Sequence, residues 1–398
     1  MTDVIAPTIE RDRLVSNRGL SIPPSKIRRM FNRAATMPDV VNLAVGQPDF
    51  DTPPHIIAAA ERAMARGFTR YTYGLGIPEL RAAIADKARN RNGLPIDQEW
   101  VGVTVGAMEA LILAMFTTLD PGDEVLIPNP GYTNFEGQLM LAGAVPVSYP
   151  LDPPDYSVDR AVLTSLITER TRAILVCSPS NPTGAVLGLD SLAAIASVAR
   201  EHELLVYSDE TYEDLIYEGS HYSIAALPDM AKRTVSVFSF SKTYAMTGWR
   251  VGYLVAPPPL ISAMNILQEH IVSCASSVSQ YAALAALTES QDCVARMRAQ
   301  YDERRHFLVT ALDALAGISC PTPHGAFYAF PDISGLATSS DEFADWLLQE
   351  AHVALVPGSA FNTRGEGFVR ISYAASLPKL REAVERLAAA LDRGGDAE

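Results

Sequence analysis

From Val101 onward the chain repeats one grammar, a short β-rich apolar run followed by a helical stretch. VGVTV (Val101–Val105) leads into EALILAMFTTL, then EVLIP (Glu124–Pro128) and a helical stretch at Phe135–Ala142. AILVC (Ala173–Cys177), a helix over Ser191–His202, LLVYS (Leu204–Ser208), TVSVFSF (Thr234–Phe240) and VGYLVA (Val251–Ala256) continue the series. Runs that are apolar throughout belong to strands covered on both faces, and strands separated by helices pair in parallel. The sequence therefore predicts an α/β fold: a large domain around a mostly parallel, doubly wound sheet in which these runs are neighbours. After Pro257 the pattern changes to long helices, Ile261–Glu289 and Asp292–Leu315, and then to shorter strands such as GAFYAF and FVRISYA. A smaller α+β domain is expected there. The expected division is an N-terminal segment, 1–50, packing with the small domain, a large domain over 51–290 and the small domain over 291–398. The linker through Ser279–Ala316 is expected to be helical.

Bulk properties narrow the function classes. A chain of 398 residues, 48% hydrophobic, has enough apolar surface for two packed domains. The net charge of −14 argues against nucleic acid as a partner, because such binding needs a basic face that releases counterions. Cys177, Cys274, Cys293 and Cys320 lack CxxC spacing, which predicts reduced thiols in a cytoplasmic protein, without disulfide or zinc. The opening MTDVIAPTIERDR has no apolar core and so is not a secretory signal, and the longest apolar run, Ala110–Phe116, is too short to span a bilayer. The seven histidines show no HExxH-type spacing, so no metal is expected.

In an open α/β sheet the ligand sits beyond the carboxyl ends of the strands. Three predicted strands run into conspicuous polar residues there: AILVC into SPSNPTG with Asn181, LLVYS into Asp209, Glu210 and Tyr212, and TVSVFSF into Ser241 and Lys242. An amide, a carboxylate and an amine thus converge on one edge. VGVTV ends at Gly106, and Ala107, Met108 and Glu109 open a helix whose free N–H groups form an anion site. Ser239, Ser241 and Arg250 complete a candidate phosphate cradle. Two other motif readings fail. Ser239–Lys242 spells S-x-x-K, but no K-T-G follows and the serine would sit at a strand end. Gly74 and Gly76 lack the third glycine and the strand-to-helix turn of a dinucleotide site.

Read in order, AVGQPDFDTP (Ala44–Pro53), YTYGLGIPELR, SPSNPTG, SDETYEDL, SFSKTYAMTGWRVGY and FVRISYA resemble the class I and II aminotransferases. These are pyridoxal-phosphate enzymes of fold type I, in the aspartate aminotransferase superfamily. The resemblance covers nearly the whole chain, and its ordered agreement is far more specific than any single string. It implies that Lys242 holds pyridoxal 5′-phosphate as a Schiff base and moves the substrate α-proton. It further implies that Asp209 keeps the ring nitrogen protonated and that Asn181 and Tyr212 hydrogen-bond the ring O3′. Tyr132 would stack on the ring face, and Tyr71 would reach the phosphate of the neighbouring subunit in a homodimer with shared active sites. Arg370, with its planar fork, would take the substrate carboxylate, helped by Asn181 and the backbone N–H of Gly46.

Plainer readings stand beside these. Asp209 suits the N-cap of a helix TYEDLIY, and Arg370 suits a surface position on an edge strand. The reaction implied is transfer of an amino acid's α-amino group to a 2-oxo acid, with 2-oxoglutarate as the expected acceptor. Relatives on this fold that cleave C–S bonds, cyclise, or oxidise amino acids with oxygen share Lys242, Asp209 and Arg370. A ligand sensor fused to a DNA-binding module would need a basic helix-turn-helix ahead of Ala44, where none is visible. Met108 stands where some relatives carry a lysine, and Gln268–Gln280 contains neither Lys nor Arg. That favours a neutral or apolar amino donor over aspartate, although Arg28, Arg29 or another residue could supply the charge.

Overall fold

The structure is a computed structural model and describes residues 14–337 and 339–395. The expectations about MTDVIAPTIERDR and the end of the polar tail lie outside the described residues. Twelve strands follow in chain order: β1 (Val41–Asn42), β2 (Val101–Thr104), β3 (Glu124–Asn129), β4 (Val145–Pro150), β5 (Thr171–Cys177) and β6 (Leu205–Asp209). They continue with β7 (Thr234–Ser239), β8 (Gly252–Val255), β9 (Tyr328–Ala329), β10 (Val353–Ala354), β11 (Val356–Pro357) and β12 (Val369–Ser372).

Seven of them form one sheet in the order β2-β8-β7-β6-β5-β3-β4. Every pairing from β7 to β4 is parallel, and β8 alone runs against both of its neighbours. The period-2 geometry of a strand splits its side chains between two cores. Val125, Ile127, Leu175, Tyr207 and Val237 pack on one face with the helices Ala107–Thr118 and Pro258–Ile271. Leu126, Ile174, Val176 and Val206 pack on the other with the helix Leu189–Glu201. Burial on both sides explains why these runs carry no polar alternation.

Strand β4 is an addition to the strands predicted from sequence. Its string VPVSYP contains two prolines, which a central strand excludes but an edge strand accepts, and β4 is the edge. The helical region after Pro257 also differs from expectation, because Ile261–Glu289 is two helices, Pro258–Ile271 and Ser277–Thr288. The break falls in VSCASS, where Ser273 takes φ 66° and Ser276 turns back to cap the second helix, accepting from the Ser279 N–H at 3.4 Å. Serine side chains that compete for backbone groups favour such ends over helix interiors. The long helix Asp292–Asp313 begins where the sequence placed its start, after the break at Glu289–Gln291, so the linker is helical on both sides of that break.

The smaller α+β part carries the antiparallel sheet β11-β12-β9 and the parallel pair β1-β10, which brings Val41 beside Val353. The helix Lys26–Ala35 is fastened to the helix Ser340–Glu350 by charge. Lys26 and Arg29 both reach Asp341, at 2.7 and 2.9 Å, and Arg33 pairs with Asp345. Positions 26, 29 and 33 share one helical face, so a single stripe of cations meets a single stripe of acids. Among the described residues no helix is long and apolar enough to cross a membrane. Each exposed pair contributes only about 0–1 kcal/mol and is screened by salt. Asp341→Asn combined with Asp345→Asn is therefore expected to leave the sheet intact while speeding proteolysis within residues 14–36, as high salt should in the parent chain. Cleavage mapped by mass spectrometry checks this; equal rates in both proteins would refute it.

Candidate active site

The carboxyl ends of β5, β6 and β7 open onto a cavity of about 890 Å³ whose wall includes Asn181, Asp209, Tyr212, Ser239, Ser241 and Lys242. Each residue arrives by a short path from its strand. Register places Cys177 directly beside Asp209 across β5 and β6. Ser239 ends β7 and caps the one-turn helix Phe240–Thr243 by accepting from the Ser241 N–H at 3.1 Å, and that turn presents Lys242.

The Lys242 amine donates to the Gly46 carbonyl at 2.6 Å. Burial, reinforced by the charges of Arg370 and Arg250, pulls its pKa down to about 8, against the opposing pull of Asp209. The Asp209 carboxyl is held above its usual range, chiefly by burial, although it accepts from the Thr211 N–H at 3.1 Å. No Lys, Arg or His pairs with it among the described residues. A buried carboxylate in that state favours a cation placed against it. The stretch after Asp209 is a turn and not the helix TYEDLIY, so the N-cap alternative gives way to a carboxylate that braces its own turn and faces the cavity.

The anion side has a different construction. Gly106 adopts φ +81° ahead of the helix Ala107–Thr118, and a Cβ there would lie 2.7 Å from Arg250 Nη2. Ala107, Met108 and Arg250 line the cavity; Gly106 sits behind them and allows the guanidinium to approach the helix start. Arg250 donates to the carbonyls of Thr247 and Val105 at 3.1 and 3.3 Å and has no carboxylate partner among the described residues. A helix N-terminus, two serine hydroxyls and an uncompensated arginine form a donor set suited to a phosphate.

Across the cavity Arg370 lies on β12, the central strand of its sheet, and is only 2% exposed, which removes the edge-strand alternative. It donates to Asn181 Oδ1 at 2.9 Å and the Ala44 carbonyl at 2.7 Å, while its Nε is buried without a partner. Tyr132 also lines the cavity, edge-on to Phe135 at 5.6 Å between centroids, and burial pushes its phenol up to about 12. Gly46 belongs to the same wall because of a close approach: a Cβ on it would meet the Tyr328 hydroxyl at 2.1 Å.

Sequence reasoning missed Tyr328. Its hydroxyl bonds that of Tyr212 at 2.7 Å, and the Arg370 guanidinium stacks on its ring at 4.4 Å. The signal was a lone hydroxyl inside the apolar run GAFYAF, since a buried tyrosine oxygen requires a partner. Two predicted site residues are absent from the cavity wall: Gly106, which sits behind it, and Tyr71, which is 88% exposed.

The lowered Lys242 pKa yields a measurement on the protein free of cofactor. Only the neutral amine reacts with an electrophile, so labelling of Lys242 should rise with pH and reach its half-maximum near pH 8. An unperturbed lysine would still be almost fully protonated there. Peptide mass spectrometry across a pH series checks it, and a midpoint above pH 10 would contradict the stated environment.

A family model for aminotransferase class I and II matches residues 38–387. An aspartate aminotransferase of Pyrococcus abyssi is 43% identical over 94% of this chain and 97% of its own length. An aromatic-amino-acid aminotransferase 2 of Thermococcus litoralis is 40% identical over 94% of this chain and 97% of that one. The solved structure of an aspartate aminotransferase from Thermus thermophilus with maleate superposes with a TM-score of 0.91 at 40% identity, covering 94% of this chain and 99% of that chain. The chain belongs to the class I and II aminotransferase family and is a pyridoxal-phosphate-dependent enzyme that transfers amino groups.

Proposed function

We propose that the cavity moves an α-amino group between a neutral or apolar amino acid and 2-oxoglutarate, with Lys242 as the proton carrier. The observation that carries the reading is that Lys242, Asp209 and Arg370 line a single cavity, where the charges of both Asp209 and Arg370 act on the Lys242 amine. Pyridoxal phosphate, when bound, supplies the electron sink through which an amino acid's α-proton and amino group are exchanged. Every other task falls to the chain. Lys242 anchors the cofactor and then moves the proton at the substrate Cα, and a pKa lowered toward neutrality suits an amine that must both take and give a proton. Asp209 supports the ring nitrogen's proton; Asn181 and Tyr212 hold the ring oxygen; Tyr132 covers the ring face. Ser239, Ser241, Arg250 and the N–H groups following Gly106 hold the phosphate. Arg370 receives the α-carboxylate with its fork, beside Asn181 and the Gly46 N–H.

The same reading makes the enzyme a cytoplasmic homodimer in which Tyr71 of the partner subunit completes the phosphate site. The exposed aromatic pair Tyr71 and Tyr73, 88% and 71% accessible in one protomer, supports a covered surface there. It also divides the chain at about residues 50 and 290, as the pairing of β1 with β10 suggests.

Substrate choice rests on the helix Lys26–Ala35, whose residues Ile27, Arg28 and Phe31 line the cavity. Lys26, Arg29 and Arg33 are paired with carboxylates, whereas Arg28 has no carboxylate partner among the described residues and lies over the Phe31 ring at 5.4 Å. Arg28 lines the cavity together with Ile27, Phe31, Met108 and Leu111. An apolar wall beside one free cation serves a neutral side chain and the second carboxylate of 2-oxoglutarate in turn.

The bound cofactor's visible band should fade when a suitable amino donor is added alone and return when 2-oxoglutarate follows. Absence of that half-reaction with every donor in a panel would remove the proposal, and a preference for aspartate by orders of magnitude would remove its donor half. Arg28→Ala should lower kcat/KM for 2-oxoglutarate by about tenfold or more, the scale of one lost charge-assisted hydrogen bond, while leaving a neutral donor within about twofold. Equal losses on both substrates would exclude this role for Arg28.

A further inference from the structure

The turn that leaves β6, Asp209–Asp214, has two sides. Asp209 and Tyr212 border the cavity, and Glu210, Glu213 and Asp214 reach partners on other elements. Glu210 accepts from His221 Nε2 at 2.8 Å and from the Ser223 hydroxyl at 2.9 Å. Glu213 pairs with Lys87 and accepts from Asn92 Nδ2 at 2.7 Å. Asp214 pairs with Arg91 through one oxygen and accepts from the Thr243 hydroxyl at 3.0 Å through the other. The ligand atoms of Glu210, Glu213 and His221 lie within 4.8 Å of one another, but Lys87 already occupies that cluster as counter-charge, so it reads as an ionic brace.

Thr243 directly follows Lys242, and the two share a helix of only four residues. A single turn gains little from helical cooperativity, so its orientation depends on outside anchors. Ser239 holds its start and Asp214 its end. Asp214 in turn cannot drift, because its side chain is only 5% exposed and the Arg91 guanidinium grips it from the helix Pro78–Asn92.

We propose that Asp214 is a positioning residue for Lys242: clamped by Arg91, it fixes the Thr243 hydroxyl and so sets the orientation of the short turn that carries the catalytic amine. The lysine stem magnifies any rotation of that turn at its nitrogen. One bond on the far side of the turn thereby controls where the amine stands relative to the substrate Cα. The inference rests on Lys242 carrying the proton, and the two fail differently. Activity retained by Lys242→Ala would sink the reaction reading, whereas the variants below sink only this one.

Holoenzyme with Thr243→Val, which removes the hydroxyl and keeps the shape, is expected to lose about tenfold in kcat with donor KM within about twofold, the scale of a small misplacement of a catalytic group. The pH midpoint of the bound cofactor's visible band should move, as should the Lys242 labelling midpoint of the cofactor-free protein. Thr243→Ser should restore both. Combining Asp214→Asn with Thr243→Val should cost no more than the worse single change, since both act along one path. A merely structural role would lower the thermal midpoint of Thr243→Val while kcat per bound cofactor and both pH midpoints stayed at parent values. That result would overturn the proposal, and it can be read even if larger changes at Asp214 prevent folding.

Discussion

The constraint on which the molecule depends is an unbalanced charge held in one cavity. Lys242, Arg250 and Arg370 face it as cations, and Asp209 is the carboxylate set among them. Charges removed from water are costly unless paired. The chain leaves Arg370 Nε without a partner and lets burial push Lys242 down and Asp209 up. A phosphate and a carboxylate are the anions such a set of cations suits. In the proposed reading they would pair with the two arginines, Lys242 would hold the cofactor, and Asp209 would face the ring nitrogen.

Backbone architecture makes the imbalance possible. Parallel strands β5, β6 and β7 end together, so one edge collects Asn181, Asp209 and Lys242 from segments far apart in sequence. The helix at Ala107 adds N–H groups without adding a side-chain charge, and Gly106 keeps the space that Arg250 needs. Strand β12 then delivers Arg370 from the other sheet, fully buried against the Tyr328 ring. In the proposed reading the groups that would hold the cofactor come from one sheet and the arginine that would clamp the substrate from another.

Residues read through apolar periodicity and strand-end chemistry were legible in the sequence, because both signals are local. The six strands expected in the large sheet and the gathering of Asn181, Asp209 and Lys242 follow from runs a few residues long, whereas Arg370 was placed only by the family resemblance. Features decided by competition or by distant partners were not legible. Pro146 and Pro150 hid β4, since the pattern cannot say which strand will be the edge. VSCASS broke a helix that composition would have continued. Tyr328 drew no reading of its own within GAFYAF, since its partner Tyr212 is distant in sequence, and the helix-cap alternative for Asp209 stayed open because the turn after it is held by Lys87, Arg91 and His221, which lie on other elements. Tyr71 is exposed, and its role at the phosphate rests on the proposed dimer.

The overall charge of −14 sits oddly with a function that handles anions, and the arrangement of cations resolves it. Most arginines and lysines of the N-terminal helix are spent on carboxylates, as Lys26, Arg29 and Arg33 are on Asp341 and Asp345. A cation that is paired contributes little field beyond a Debye length, about 8–10 Å in physiological salt. What an approaching oxo acid meets at short range are Arg28, Arg250 and Arg370, which line the cavity without a carboxylate partner among the described residues and whose field the cavity walls concentrate. Specificity for small anions thus comes from which cations the fold leaves unneutralised, and an acidic surface discourages large polyanions without closing the site to small ones.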